Sequence, residues 1–302
     1  GDHCCRSGRG GEPQGIVSGA CDRTGMEQTM SPPERLAAER LPPDVAGRWR
    51  ALLRPAVRLT RPDDRRAPLA GPPVGHLGGR PELPDDVPWP VWEGNGPLTF
   101  VASLSLSALA GLPGAELDIP LPKDGTLLFF VSYGPGQGDG VPGIGPDGQQ
   151  GARVVYVPEG TPVAERRVPG GLEEPYRRVR LSAEPETTWP GHEDFWRGDL
   201  VGASPGDDLP EWLDEFDDAL DDLVPKVWHR IGGHPTCIQG GVDLDGLGED
   251  EDLDDWVLLA QIDSDRRAGM DWVHQGTLYW LITRADLAAR NFAAARFTWQ
   301  FL

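Results

Sequence analysis

The sequence predicts an α+β, mostly β fold: two pseudo-repeated β units packed around a shared core, with helices at the periphery. Three observations predict it. Three sequence blocks recur in the same order in the two halves of the chain. Short apolar runs with β character recur between Gly- and Pro-rich turns, and helical periodicity is confined to a few segments.

Taken in order, Ser31-Pro32-Pro33-Glu34 has the form of a capping box with Pro at the first helical position, and opens a short helix to about Arg40. Pro42-Pro43-Asp44 restarts a second helix with Val45, Trp49, Leu52 and Leu53 on one face, ended by Pro55. Residues 61–97 are rich in Pro, Gly and Asp and are expected to be a long ordered loop or linker. Residues 98–106 alternate as a strand does, 125–133 are a buried strand candidate, and 134–151 form a Gly-rich loop without hydrophobic period. Further strands are expected at 152–157 and 176–182. The strongest helix signal is Asp207 to Leu223, where Leu209, Trp212, Leu213, Phe216, Leu220 and Leu223 form one stripe. Asp207 or Asp208 can cap it, and Pro225 stops it. A Gly-Pro loop and an acidic loop at 243–255 follow, then strands at 256–263 and 276–283, a terminal helix from Arg284 to Ala294, and a last strand at 296–301.

The recurrence is specific in content. His76-Leu77-Gly78-Gly79-Arg80-Pro81 matches Arg230-Ile231-Gly232-Gly233-His234-Pro235. The run from Thr99 through Ala102 to Leu104 matches Leu258 through Ala260 to Ile262. Gly125 to Val131 matches Gly276 to Ile282. Each unit of loop, strand, loop and strand is too small to bury its own apolar face, so the two copies are expected to pack together. This gives one domain over 31–302, built from repeats of about 31–150 and 151–302. Residues 1–30, Gly-rich and aperiodic, read as a disordered tail or a mis-called start, with Met26 or Met30 as the natural one.

Composition excludes several function classes. The chain carries 28 Lys+Arg against 48 Asp+Glu, a net charge of −20. Neutralising phosphates needs clustered cations, so a general nucleic-acid binder is excluded, as is docking on an anionic membrane. No apolar run approaches the ~20 residues that span a bilayer. Cys4, Cys5 and Cys21 lie in the N-terminal segment, which leaves Cys237 alone in the globular part. That fits a reducing, cytoplasmic location. Asp207 to Asp255 holds 17 acidic and two basic residues, −15 of the chain's −20 in a sixth of its length. Such a surface either solubilises or docks a basic partner, with raised association rates.

The candidate chemical motifs fail on physical grounds. Gly202-Ala203-Ser204-Pro205-Gly206 matches the nucleophile-elbow pattern of serine hydrolases. However, the residue after the nucleophile must donate its backbone N–H to the oxyanion, and Pro205 has none. Gly134, Gly136, Gly138 and Gly140 follow a strand, but Pro142 and Pro146 prevent the helix that a phosphate cradle needs. Asp243 to Asp254 resembles a calcium loop at its first, third and sixth positions. Leu247 stands at the fifth and Asp254 at the twelfth, which leaves at most weak calcium binding. His229, His234, Cys237 and His274 have neither the spacing of a zinc site nor the orienting group of a Cys–His nucleophile. No catalytic residue, metal ligand or cofactor is assigned.

The repeated blocks resemble the YwqG-like family, a bacterial domain of unknown function. The resemblance lies in Gly78-Gly79-Arg80-Pro81 with Trp89-Pro90, Pro97-Leu98 with Phe100-Val101-Ala102, and Gly125 to Phe130. It continues in His229 to Pro235 with Gln239-Gly240, Leu258 to Asp263, Gly276 to Trp280, and Asp286-Leu287. It covers about 31–302. Ser103 departs from it, standing where the family has Gln, as at Gln261. The family is distantly similar to the peptide-binding domain of ribosome-assembly chaperones of the programmed-cell-death-2 type, and some relatives are proposed as immunity proteins beside secreted toxins. The resemblance therefore implies non-catalytic protein binding, chaperone-like or immunity-like. The expected partner is a basic protein, met by Asp214, Asp217, Asp218, Asp221, Asp222 and an exposed Trp272, with Trp92 also exposed. The alternative is a small-molecule-binding protein or enzyme with its site at the repeat junction, near His234, Gln239 and His274.

Overall fold

The computed structural model describes residues 30–62, 68–133, 148–191, 196–204, 207–224, 227, 229–242, 255–273 and 275–301. The expectations for the N-terminal segment, the Gly-rich loop at 134–147, the calcium-like loop, Pro225 and His274 fall outside these residues.

The fold is mostly β, as expected: a large, nearly closed, barrel-like sheet with six helices among the described residues. Two helices open it, α1 (Pro32–Arg40) and α2 (Pro43–Arg50). The capping box at α1 is present, with Glu34 accepting from the Ser31 backbone N–H at 2.7 Å. Strands β1 (Arg54–Thr60), β2 (Gly75–Leu77), β3 (Glu82–Leu83), β4 (Val91–Trp92), β5 (Gly96–Pro97) and β6 (Thr99–Ser105) follow. Next come helix α3 (Leu106–Ala110), β7 (Thr126–Val131), β8 (Ala152–Val157), β9 (Ala164–Glu165) and β10 (Val179–Thr188). Helices α4 (Trp196–Val201) and α5 (Glu211–Asp221) precede β11 (His229–Gly232), β12 (Trp256–Asp263) and β13 (Thr277–Thr283). Helix α6 (Arg284–Ala288) and β14 (Arg296–Gln300) complete the chain.

The main sheet has the order β14-β13-β12-β11-β1-β10-β2-β6-β7-β8. The antiparallel pair β1–β10 lies at its centre, with β2-β6-β7-β8 running outward on one side and β11-β12-β13-β14 on the other. The registers correspond position by position. His76 faces Ser103, which faces Leu128; Arg230 faces Gln261, which faces Tyr279. Each side is interrupted by one irregularity at matching places, between Phe100 and Ala102 and between Leu258 and Ala260. The paired glycines also match, Gly78 and Gly79 at φ 55° and 74°, Gly232 and Gly233 at 68° and 72°. A Cβ on Gly233 would sit 2.7 Å from the Ala56 Cβ on β1, so this turn requires glycine for space as well as for φ.

Alternation along the strands sends one set of side chains inward. Val57, Leu77, Leu104, Leu127, Phe129, Ile231, Ile262, Leu278 and Trp280 join one core drawn from both halves. Within it, the corresponding residues Phe129 and Trp280 touch edge to face at 5.0 Å. The two ends of the sheet are bridged by Gln149, whose side-chain amide accepts from the Phe297 N–H at 2.6 Å and donates to its carbonyl at 2.9 Å. One amide thus satisfies the edge of β14 where a neighbouring strand would otherwise be needed. A second apolar cluster joins α1, α2, α4 and α5 through Ala37, Trp49, Leu200, Leu213, Phe216 and Leu220.

Several expectations are corrected. The stretch 61–97 holds four short strands, of which β2 belongs to the main sheet. Residues 54–60, where Pro55 suggested a helix end, form a strand at the centre of the sheet. Pro55 is tolerated because β11 pairs only with Ala56 to Leu59, so no N–H is needed at 55 on that side. The Gly-Pro loop after Pro225 contains buried β11. Helix α5 starts at Glu211 with Pro210 at its N-cap; Asp207 instead accepts the Ser204 N–H at 2.8 Å, and Leu223 is exposed. The terminal helix stops at Ala288, and Arg290 at φ 59° separates it from a 3₁₀ turn over Phe292–Ala294.

Candidate functional site

The outward-facing residues of the two halves differ in chemistry. On the first half Phe100, Leu128 and Phe130 pack with Leu83, Leu98, Val157 and Trp89. On the second half the row Arg230, Gln261 and Tyr279 converges on one residue of the following loop, Thr236. Arg230 Nη1 donates to the Thr236 hydroxyl at 2.9 Å, Gln261 Oε1 accepts from its N–H at 2.9 Å, and the Tyr279 hydroxyl donates to its carbonyl at 2.6 Å. Burial, then the neighbouring Cys237, pushes the Tyr279 phenol well above its ordinary range, so it stays a donor. Arg230 is 6% exposed and also pairs through Nε with Glu186 at 2.9 Å.

This arrangement fixes the 234–238 loop without filling the space beside it. A cavity of about 890 Å³ lies there, walled by Thr236, Cys237 and Ile238 on one side and by Asp217, Leu220 and Asp221 of α5 on another. Glu186, Arg230, Asp263 and Thr277 of the sheet line it, as do Arg61, Arg266, Asp271 and Gln275. Its lining has five carboxylates (Glu186, Asp217, Asp221, Asp263, Asp271) against three guanidinium groups. Two of those guanidiniums are already paired, Arg230 with Glu186 and Arg61 with Asp265. Asp263 accepts from Thr277 Oγ1 at 2.9 Å and from the Ser264 N–H at 2.8 Å.

Beneath the cavity, Asp265 is fully buried. Burial alone would raise its pKa; hydrogen bonds from His229 and Arg61 and the charge of Arg61 outweigh that and hold it at about 2. His229 Nδ1 accepts from the Asp263 N–H at 3.1 Å, so Nε2 carries the proton and donates to Asp265 at 3.2 Å. The His–Asp pair is consumed in holding β11 to the end of β12.

The residues expected from the sequence are distributed unevenly. Asp221 lines the cavity and is exposed; Asp218 and Asp222 are exposed on the same helix. Asp214 and Asp217 are paired with Arg197 on α4, at 3.0 Å for Asp217, which is buried. Trp272 is fully buried, a correction to its expected exposure. Its indole is enclosed edge-on by Tyr133 and Tyr176, with centroids 5.1 and 5.6 Å away. Trp92 is half-buried against the Phe100–Phe130 cluster. His234 does not line the cavity. Its Nε2 donates to the Leu52 carbonyl at 2.7 Å, and burial lowers its pKa to about 4. Gln239 is exposed, and its backbone N–H donates to Gln300 at 3.2 Å. Among the described residues no group of three or more His, Cys, Asp or Glu is placed to hold a metal, and no helix is long and apolar enough to cross a membrane.

Sequence reasoning passed over Glu186, Arg61 and Arg266. The signal for Arg230 and Gln261 was present in the matched blocks, where a guanidinium and a longer amide stand in place of His76 and Ser103. Residues 75–300 match a family model described as a domain of unknown function, DUF1963. The matched region starts at β2, so β1 at the centre of the sheet precedes it. No curated protein matches the sequence.

Proposed function

The chain belongs to the DUF1963 family, a domain of unknown function, and from that premise we propose that it is a non-enzymatic protein-binding module that takes a basic segment of its partner into the cavity beside α5. The observation that carries the reading is the charge of the cavity wall, five carboxylates against three guanidinium groups, with Asp221 and Asp271 exposed. A Lys or Arg side chain entering from a partner would meet an excess of acceptors in a partly desolvated space, where charge-assisted hydrogen bonds are strongest. The exposed Asp218 and Asp222 extend the same field outward and would steer a basic partner toward the opening. The correspondence of register between the two halves further supports a duplicated scaffold, of which the second copy carries the site.

The test is a titration of the purified chain with Lys- and Arg-containing peptides and their acidic counterparts, at low and moderate salt. Basic peptides should bind and acidic ones should not. Asp221→Lys with Asp271→Lys, both exposed carboxylates of the cavity lining, should abolish binding. Asp218→Lys with Asp222→Lys, outside the lining, should slow association and leave dissociation nearly unchanged. Equal binding by the Asp221/Asp271 variant would remove the cavity from the account. Identification of the natural partner would then separate a chaperone-like from an immunity-like role.

A second reading is supported by the volume alone. About 890 Å³ lies within the ~300–1,000 Å³ typical of small-molecule sites. A metabolite that raises the melting temperature of the chain, while basic peptides leave it unchanged, would favour that reading.

A further inference from the structure

A second, smaller pocket lies between β6 and the 168–176 segment, and none of its lining residues lines the larger cavity. Its volume is about 80 Å³, well below the ~300 Å³ at which whole small molecules are usually enclosed, so it suits a head group. Four aromatic residues line it, Trp89, Phe100, Tyr133 and Tyr176, with Glu173 and Glu174 exposed at its rim. Its lining has no Lys, Arg or His.

The polar atoms of two of these aromatics are already committed. Trp89 Nε1 donates to the Leu98 carbonyl at 2.8 Å. The Tyr133 hydroxyl donates to the Asp271 carbonyl at 2.6 Å and accepts from the Val273 N–H at 3.0 Å. What Trp89, Tyr133 and Phe100 can offer a ligand is ring carbon. Buried Trp272 packs edge-on against both Tyr133 and Tyr176 and holds their rings in place; Phe130 packs edge-on against Trp89 at 5.7 Å and tilted against Phe100 at 5.3 Å. The walls are therefore preorganised. Glu173 and Asp271 also place negative charge near Tyr176, whose phenol is raised first by burial, then by Tyr133, and then by those two carboxylates.

We propose that this pocket binds a methylated ammonium group, held by cation–π contact with Trp89, Phe100, Tyr133 and Tyr176 and by the charge of Glu173 and Glu174. A primary ammonium carries three N–H donors; the four rings supply no acceptor for them, and the exposed Glu173 and Glu174 can meet it in water as well as in the pocket. A quaternary ammonium has no donor to satisfy and spreads its charge over methyl groups that fit an aromatic wall. The inference stands independently of the larger cavity's role.

Calorimetric titration of the full chain tests it, with choline, its neutral isostere 3,3-dimethylbutanol, a peptide bearing trimethyllysine, and the same peptide unmethylated. Choline or the methylated peptide should bind at least about tenfold tighter than the isostere and the unmethylated peptide respectively. The surface variant Glu173→Gln with Glu174→Gln should weaken that binding several-fold while melting with the wild type. Trp89→Ala should abolish it. Choline bound as tightly as the methylated peptide identifies a free amine as the source; a preference for the peptide identifies a methylated protein side chain. Equal affinity within both pairs, choline against its isostere and the methylated against the unmethylated peptide, or no heat from either ammonium at millimolar concentration, overturns the proposal.

Discussion

On the first half of the sheet the outward row His76, Ser103 and Leu128 adjoins a patch of Phe100, Phe130, Leu98 and Trp89 that is closed by apolar contact. On the second half the corresponding row Arg230, Gln261 and Tyr279 is closed by three hydrogen bonds to Thr236, and about 890 Å³ remains open beside it. The backbones share a register, so the difference lies in the side chains. Apolar contact holds a covering segment only by filling space. Hydrogen bonds to a backbone hold it at a point and leave room around that point. A site can thus be opened on one half of a scaffold without loosening the sheet.

The comparison can be broken from either side. Phe130→Ala, on the closed half, should cost about 4 kcal/mol in urea denaturation, because a packed ring leaves a cavity that cannot collapse between Trp89 and Phe100. Arg230→Met, on the open half, should cost about 3 kcal/mol, since Glu186 loses its cation while still half-enclosed. Adding Glu186→Gln should recover part of that loss. A cost below about 1 kcal/mol for Arg230→Met would mean that the row does not hold the loop.

Acid should act next. His234 is held neutral, with a folded pKa of about 4 against an unfolded value of 6.5. A lowered histidine contributes no penalty above pH 6.5, and stability falls as the unfolded chain takes up the proton first. The chain should lose about 2–3 kcal/mol between pH 6.5 and 4, and His234→Gln should flatten that slope. Asp265, at about 2, adds a separate loss only between about pH 4 and 2. The smallest effect is expected from Tyr279→Phe, about 1 kcal/mol for the bond to the Thr236 carbonyl, read by denaturant midpoint.

Most of the fold was legible in the sequence because its signals are local. Phe129 and Trp280 sit at matched places in blocks visible as text, and Ser31 with Glu34 marks a helix start within four residues. Strand β1 was not legible. Its Pro55 reads as a breaker until the offset of β11 is known, and that offset is a tertiary fact. The same limit applies to the cavity. Asp221 could be found from charge density, whereas Glu186 on β10 and Arg61 just after β1 reach it beside strands whose neighbours are distant in the chain. Trp272 was misplaced because its sequence neighbours are polar, while the residues that bury it, Tyr133 and Tyr176, lie about a hundred residues or more away.

The most direct test of the central claim is hydrogen–deuterium exchange of the full chain with and without a basic peptide that it binds. The account predicts protection of the 234–238 loop and of α5, and unchanged exchange over 81–98 on the closed half. Protection confined to 81–98, or spread evenly over both halves, would contradict it.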